Sequence, residues 1–115
     1  MNSVHITGRL TRDPELRFTP SGKAVANFSI AVNYRGSDDA SFFDIVAWEK
    51  TAEVVSEHLR QGRRVLIDGY LSQRKWDTPE GEHRQKVEIV AQQVEFLDYP
   101  KDQTAQPPDQ DDERL

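Results

Sequence analysis

The sequence predicts an all-β domain with one short helix, closed as a small five-stranded barrel. Three observations carry that expectation. Apolar and polar residues alternate with a period of two through most of the first 98 residues, the signature of strands with one buried face. A single stretch, TAEVVSEHLRQG, switches to helical spacing. Glycines at 8 and 69 fall inside strand patterns, where a small barrel has to bend its sheet.

Taken in order, Val4, Ile6 and Leu10 alternate with His5, Thr7 and Arg9 to give a first strand. Gly8 within it marks a bulge or a sharp bend. A turn region follows, rich in Asp13-Pro14 and Pro20-Ser21-Gly22. In Ala24–Tyr34 one face carries Ala26, Phe28, Ile30 and Val32 and the other Asn27, Ser29, Ala31 and Asn33. Polar residues 35–40 read as a loop, and Phe42–Trp48 as a third strand of high β-propensity. In the helix, Ala52, Val55 and Leu59 share a face, Thr51 is the expected N-cap, and Gly62 sits at the expected stop. Alternation resumes in Arg64–Trp76, with Val65, Ile67 and Leu71 on one side. After a turn at 77–82, the last strand runs over Gln85–Leu97 through Val87, Ile89, Ala91, Val94 and Phe96. Three strands, one helix and two strands in under a hundred residues is the order of an oligonucleotide/oligosaccharide-binding (OB) barrel.

At 115 residues the chain has room for one ordinary domain. It has no cysteine, hence no disulfide framework, thiolate zinc site or cysteine nucleophile. No signal-peptide pattern opens it, and no apolar run approaches membrane-spanning length; a cytoplasmic protein with no membrane association is expected. Net charge is −5, unevenly placed. Five acids against two bases leave residues 100–115 at −3, while thirteen cations against fifteen anions leave the remaining 99 at −2. Composition alone therefore does not predict binding to a polyanion, and any cationic surface has to come from local arrangement. His5, His58 and His83 lie in different elements without partners at metal-ligand spacing, so no metal or other cofactor is expected. No phosphate-binding loop, dinucleotide fingerprint or Ser-His-Asp order is present, and catalysis has no support.

Several stretches, in order across residues 2–97, resemble the bacterial single-stranded DNA-binding protein family. They are Gly8-Arg9-Leu10 leading through Asp13-Pro14-Glu15-Leu16-Arg17 to Gly22; Ala24-Val25-Ala26-Asn27-Phe28 with Ile30-Ala31-Val32; and Phe42–Trp48 leading to Lys50, Ala52 and Glu53. Leu59 with Gly62, Val65 and Gly69, and then Arg74-Lys75-Trp76, complete the series. The resemblance implies sequence-independent binding and protection of single-stranded DNA in replication, recombination, repair or DNA uptake, near the nucleoid. It also implies that bases stack on aromatics of the third strand and of the long hairpin between the last two strands. Phe42, Trp48 and Trp76 match such positions, and Tyr34 matches more loosely an aromatic after the second strand.

The residues support that reading on their own terms. Phe42 and Trp48 are six apart and share a face, while Phe43, Ile45 and Ala47 supply the core from the other. Any base can stack on an open ring, worth roughly 1–3 kcal/mol. The alternative is that one of the two packs inside the barrel or in a subunit contact. Trp76, beside two cations and a turn, either binds a ligand or closes the hairpin by cross-strand packing. Tyr70 fits stacking and the barrel mouth equally. Arg35, Lys50, Arg64, Arg74, Lys75, Arg84 and Lys86 flank the rings and are candidates for phosphate contact.

Residues 1–98 are expected to form the DNA-binding domain and 99–115 a disordered acidic tail, too poor in apolar residues to order itself. Family tails commonly end in Asp-Asp-Ile-Pro-Phe and dock replication and repair partners. This chain ends Asp111-Asp112-Glu113-Arg114-Leu115, without the Pro-Phe tip, which argues against docking through it and resembles a short paralogue. Deleting the tail is expected to raise DNA affinity at low salt. The resemblance further implies a homotetramer in which first strands pair. Two other readings share the barrel: an OB-fold accessory or RNA-binding protein using the same surface, and a purely structural oligomerisation module.

Overall fold

The computed structural model describes residues 1–36 and 38–98; the expected tail lies outside them. The elements are β1 (Val4–Leu10), β2 (Glu15–Phe18), β3 (Ala24–Asn33), β4 (Ala40–Trp48), α1 (Glu49–His58), β5 (Arg64–Asp77) and β6 (His83–Phe96). They form one sheet in the order β1-β5-β6-β4-β3-β2, which closes where Arg9 and Leu10 of β1 pair with Ala31 and Ile30 of β3. All pairings are antiparallel except β4 with β6, which run parallel over Ile45–Ala47 and Ile89–Ala91.

The closed ring therefore has five strands, β1, β5, β6, β4 and β3, in the OB-fold arrangement. The extra strand β2 lies along the same edge of β3 as β1, within the region read from sequence as a turn. Its four residues, Glu15-Leu16-Arg17-Phe18, sit between the two proline turns and are too few for a periodic signal to stand out.

Barrel closure explains two glycines. A Cβ on Gly8 would stand 2.7 Å from the Ala31 carbonyl oxygen, so β1 can cross from β5 to β3 only without a side chain there. A Cβ on Gly69 would run into the Val90 carbonyl. At that point β5 and β6 shift register: Asp68 pairs with Gln93 but Gly69 pairs with Ala91, which leaves Gln92 as a bulge. The extra residue resets the alternation of β6, so that Ile89 and Ala91 before it and Val94 and Phe96 after it all face the core.

The interior is filled by Phe28, Ile30, Ile45, Val65 and Ile67, all essentially inaccessible. Each such side chain contributes about 1.5–3 kcal/mol on burial. The helix plugs one end through Ala52, Val55 and Leu59, on the face its spacing predicts. Its start differs from expectation. The chain passes directly from β4 into α1 through Glu49, whose φ of 52° is left-handed, so Trp48 is the N-cap position and Thr51 lies inside the helix.

β5 and β6 are 14 residues each, against seven to ten for β1, β3 and β4. At about 3.3 Å per residue they outrun the ring, and Tyr70–Asp77 is exposed throughout. Leu71 shows the consequence. It pairs with Ile89 on the core side, as its alternation with Val65 and Ile67 predicts, but it is 48% exposed because it lies past the end of the barrel.

Candidate nucleic-acid interface

Alternation on β4 turns Phe42, Asp44, Val46 and Trp48 outward and packs Phe43, Ile45 and Ala47 inward. The neighbouring strands extend this outer face. Val46 pairs with Val90, and from Val90 the register sets Tyr70 opposite Val90, Ser72 opposite Glu88, Arg74 opposite Lys86 and Trp76 opposite Arg84. On the other side, Trp48 pairs with Val25, Val46 with Asn27, and Val25 with Arg17 of β2. One surface thus runs from Arg17 across four strands to the Trp76 hairpin.

A cleft of about 500 Å³ lies at its centre. Val25, Val46 and Val90 provide apolar lining, Trp48 and Arg74 border it, and Arg17, Asn27 and Glu88 supply polar groups. Arg17 Nη2 donates to Asn27 Oδ1 at 3.0 Å. A smaller hollow of about 220 Å³ adjoins it, where Arg12, Lys86 and Asp44 join Arg17, Arg74 and Glu88. A third of about 640 Å³ lies at the hairpin end between Lys75, Trp76, Asp77, His83, Arg84 and Gln85.

The rings on this face are open: Phe42 is 66% exposed, Trp48 42% and Trp76 40%. Neither β4 ring packs into the barrel. Arg74 lies over Trp76, its guanidinium carbon 4.6 Å from the ring centroid. The same Arg74 reaches Glu88 at 3.5 Å, Lys86 pairs with Asp44 at 3.1 Å, and Arg84 pairs with Glu82.

Of the residues singled out from sequence, Phe42, Trp48, Tyr70, Arg74, Trp76, Arg84 and Lys86 share this face by register. Tyr34 and Arg35 stand exposed in the loop beyond β3, where the Tyr34 hydroxyl accepts a hydrogen bond from Ser41 Oγ at 2.9 Å. Lys50 is exposed in the first turn of α1. Lys75 points to the opposite side of β5 from Arg74 and Trp76, at the rim of the hairpin hollow. Arg64 is not brought to the cleft: it opens β5, paired with Arg9, twelve residues before Trp76.

Arg17 and Asn27 were not singled out as site residues. For Arg17 the available signal was the alternation Glu15-Leu16-Arg17-Phe18, which puts Arg17 on the face away from Leu16 and Phe18. Among the described residues no group of three or more His, Asp or Glu side chains is placed to hold a metal ion. No helix among them is long and apolar enough to cross a membrane.

A closed OB barrel with open rings set among cations on one outer face defines a binding module of the oligomer-recognising class. Comparison with known proteins narrows the class. The model of the single-strand binding protein family matches residues 1–97, and the chain belongs to that family. It is 44% identical over 103 residues to a single-stranded DNA-binding protein of Halalkalibacterium halodurans, covering 85% of this chain and 61% of the relative. It is 45% identical to one from Treponema pallidum, covering 84% and 58%, and 42% identical to single-stranded DNA-binding protein 3 of Clostridium acetobutylicum, covering 86% and 72%. The chain thus spans about three fifths of the length of the first two relatives.

Proposed function

We propose that this protein binds single-stranded DNA without sequence preference and protects it during replication, recombination, repair or uptake, and that it is not an enzyme. The observation that carries this is the exposure of Phe42, Trp48 and Trp76 along one continuous outer face. Large rings left in water on a small domain mark a surface made to be covered. Bases of any identity can stack on them and on Tyr34 and Tyr70, while Arg74, Arg84 and Lys86 beside them, and Arg35, Lys50 and Lys75 around them, follow the backbone. Arg64 belongs to this set only if the strand continues around the barrel to the start of β5. Competition between oligo-dT, a ribo-oligomer and duplex DNA tests the reading. Preferential binding of oligo-dT is expected; preference for RNA or duplex would replace it with an RNA-binding or accessory role.

We further propose a homotetramer, acting in the cytoplasm at the nucleoid. The support is β1: it pairs with β5 along Val4–Arg9, whereas its pairing to β3 is confined to Arg9 and Leu10. The other edge of Val4–Gly8 has no strand partner among the described residues, and such an edge calls for a cover. Sedimentation equilibrium, with a mass four times that of the chain, is the expected result.

A further inference from the structure

The outer face carries carboxylates that a surface for a polyanion does not need. Glu88 is the one charged residue buried among the described residues, 9% exposed, in the wall of the central cleft. Its Oε2 lies 3.5 Å from Arg74 Nη2, and that guanidinium is the one seated over Trp76. Asp44, one step before the Ile45–Ile89 bridge as Glu88 is, holds Lys86 Nζ at 3.1 Å. Arg74 and Lys86 are themselves cross-strand partners. Two adjacent cations best placed between Trp48 and Trp76 are therefore both occupied by carboxylates of the same chain.

We infer that Glu88 and Asp44 are built-in competitors for phosphate, from which single-stranded DNA must take Arg74 and Lys86 in order to bind. The inference rests on the DNA-binding reading. A phosphate nearing Arg74 meets the negative charge of Glu88, whose side chain is 11% exposed although Arg74 itself is 52% exposed, so water screens the repulsion only in part. Drawing Arg74 away leaves a desolvated carboxylate without its partner, which is costly. An ion pair also has no net charge to offer the strand, so it adds less to the attraction and to counterion release than a free cation does. Glu88 has a second effect, as a positioning residue acting through Arg74: it keeps the guanidinium on one side of the Trp76 ring and leaves the other side for a base.

The test titrates the full-length protein, Glu88→Gln and Asp44→Asn with oligo-dT over a range of salt concentrations. Each variant is expected to bind several-fold tighter at low salt, with a slope of log K against log salt steeper by about 0.7 per carboxylate removed. In a Trp48→Phe background, Glu88→Gln is also expected to make Trp76 emission more accessible to acrylamide before DNA is added, which a merely structural Glu88 would not do. Equal or weaker binding with an unchanged slope in both variants would overturn the inference. Should Glu88→Gln fail to fold, the half-exposed Asp44 decides it alone. Wild-type protein that ignores oligo-dT would overturn the DNA reading itself, a result distinct from wild-type binding that the variants do not improve.

Discussion

Trp76 and Arg74 stand two residues apart on the same side of β5, and the guanidinium of one covers the ring of the other at 4.6 Å. The contact contributes about 0.5–1 kcal/mol at an exposed site, too little to explain keeping a tryptophan on an overhanging hairpin. A stacked base offsets its exposure better. Trp76→Ala is expected to weaken oligo-dT binding by about 1–3 kcal/mol while the thermal melting temperature falls by no more than roughly 2–8 °C, the loss of that one contact. Parallel titration and melting curves check both halves.

Phe42 and Phe43 offer a sharper contrast, because adjacent rings face opposite ways. Phe43→Ala removes a side chain packed against the core and is expected to cost about 2 kcal/mol of stability, below the cost at a fully buried phenylalanine. Phe42→Ala is expected to leave stability within about 0.5 kcal/mol and to reduce DNA affinity. Denaturant unfolding together with binding isotherms separates the two effects.

Gly69→Ala places a methyl group against the Val90 carbonyl at the β6 bulge. Relieving that overlap means moving the β5–β6 pairing, at a cost of about 1–3 kcal/mol. For a domain of this size each kcal/mol lowers the melting temperature by roughly 4–8 °C. Calorimetry of the purified variant measures the shift.

Among the cations, Arg84 lies across from Trp76 and Arg64 lies at the far end of the same hairpin. Arg84→Ala is expected to flatten the salt dependence of binding by less than the roughly 0.7 in the log–log slope of one free phosphate contact on a single strand, because Glu82 already pairs with Arg84. Arg64→Ala is expected to change it less. Equal effects would show that the bound strand reaches the start of β5.

The barrel was legible because its core strands are long enough for alternation to show. Phe28 and Ile30 on β3, Ile45 and Ala47 on β4, Ala52 and Val55 on the helix and Leu59 at its C-cap all bury as their spacing predicts. Even the bulge left a trace, in the change from Ile89 and Ala91 to Val94 and Phe96. What escaped was local or long-range. β2 is too short for its period to register, so Arg17 passed for a turn residue. Leu71 follows the core pattern, yet its exposure depends on where the ring ends, which is a property of all the strands together. The outward side of Phe42 and Trp48 could be read from parity, while the ion pairs that occupy Arg74 and Lys86 needed the register of three strands.

The central claim is that solvent-facing tryptophans on this surface meet the bases of a single strand held by cations. Titrating the protein's own fluorescence with oligo-dT at several salt concentrations addresses it directly. Strong quenching, lost in stages with Trp48→Phe and Trp76→Phe and moved to higher DNA concentration by added salt, is the predicted result. Emission that oligo-dT leaves unchanged, or quenching indifferent to salt, would contradict it.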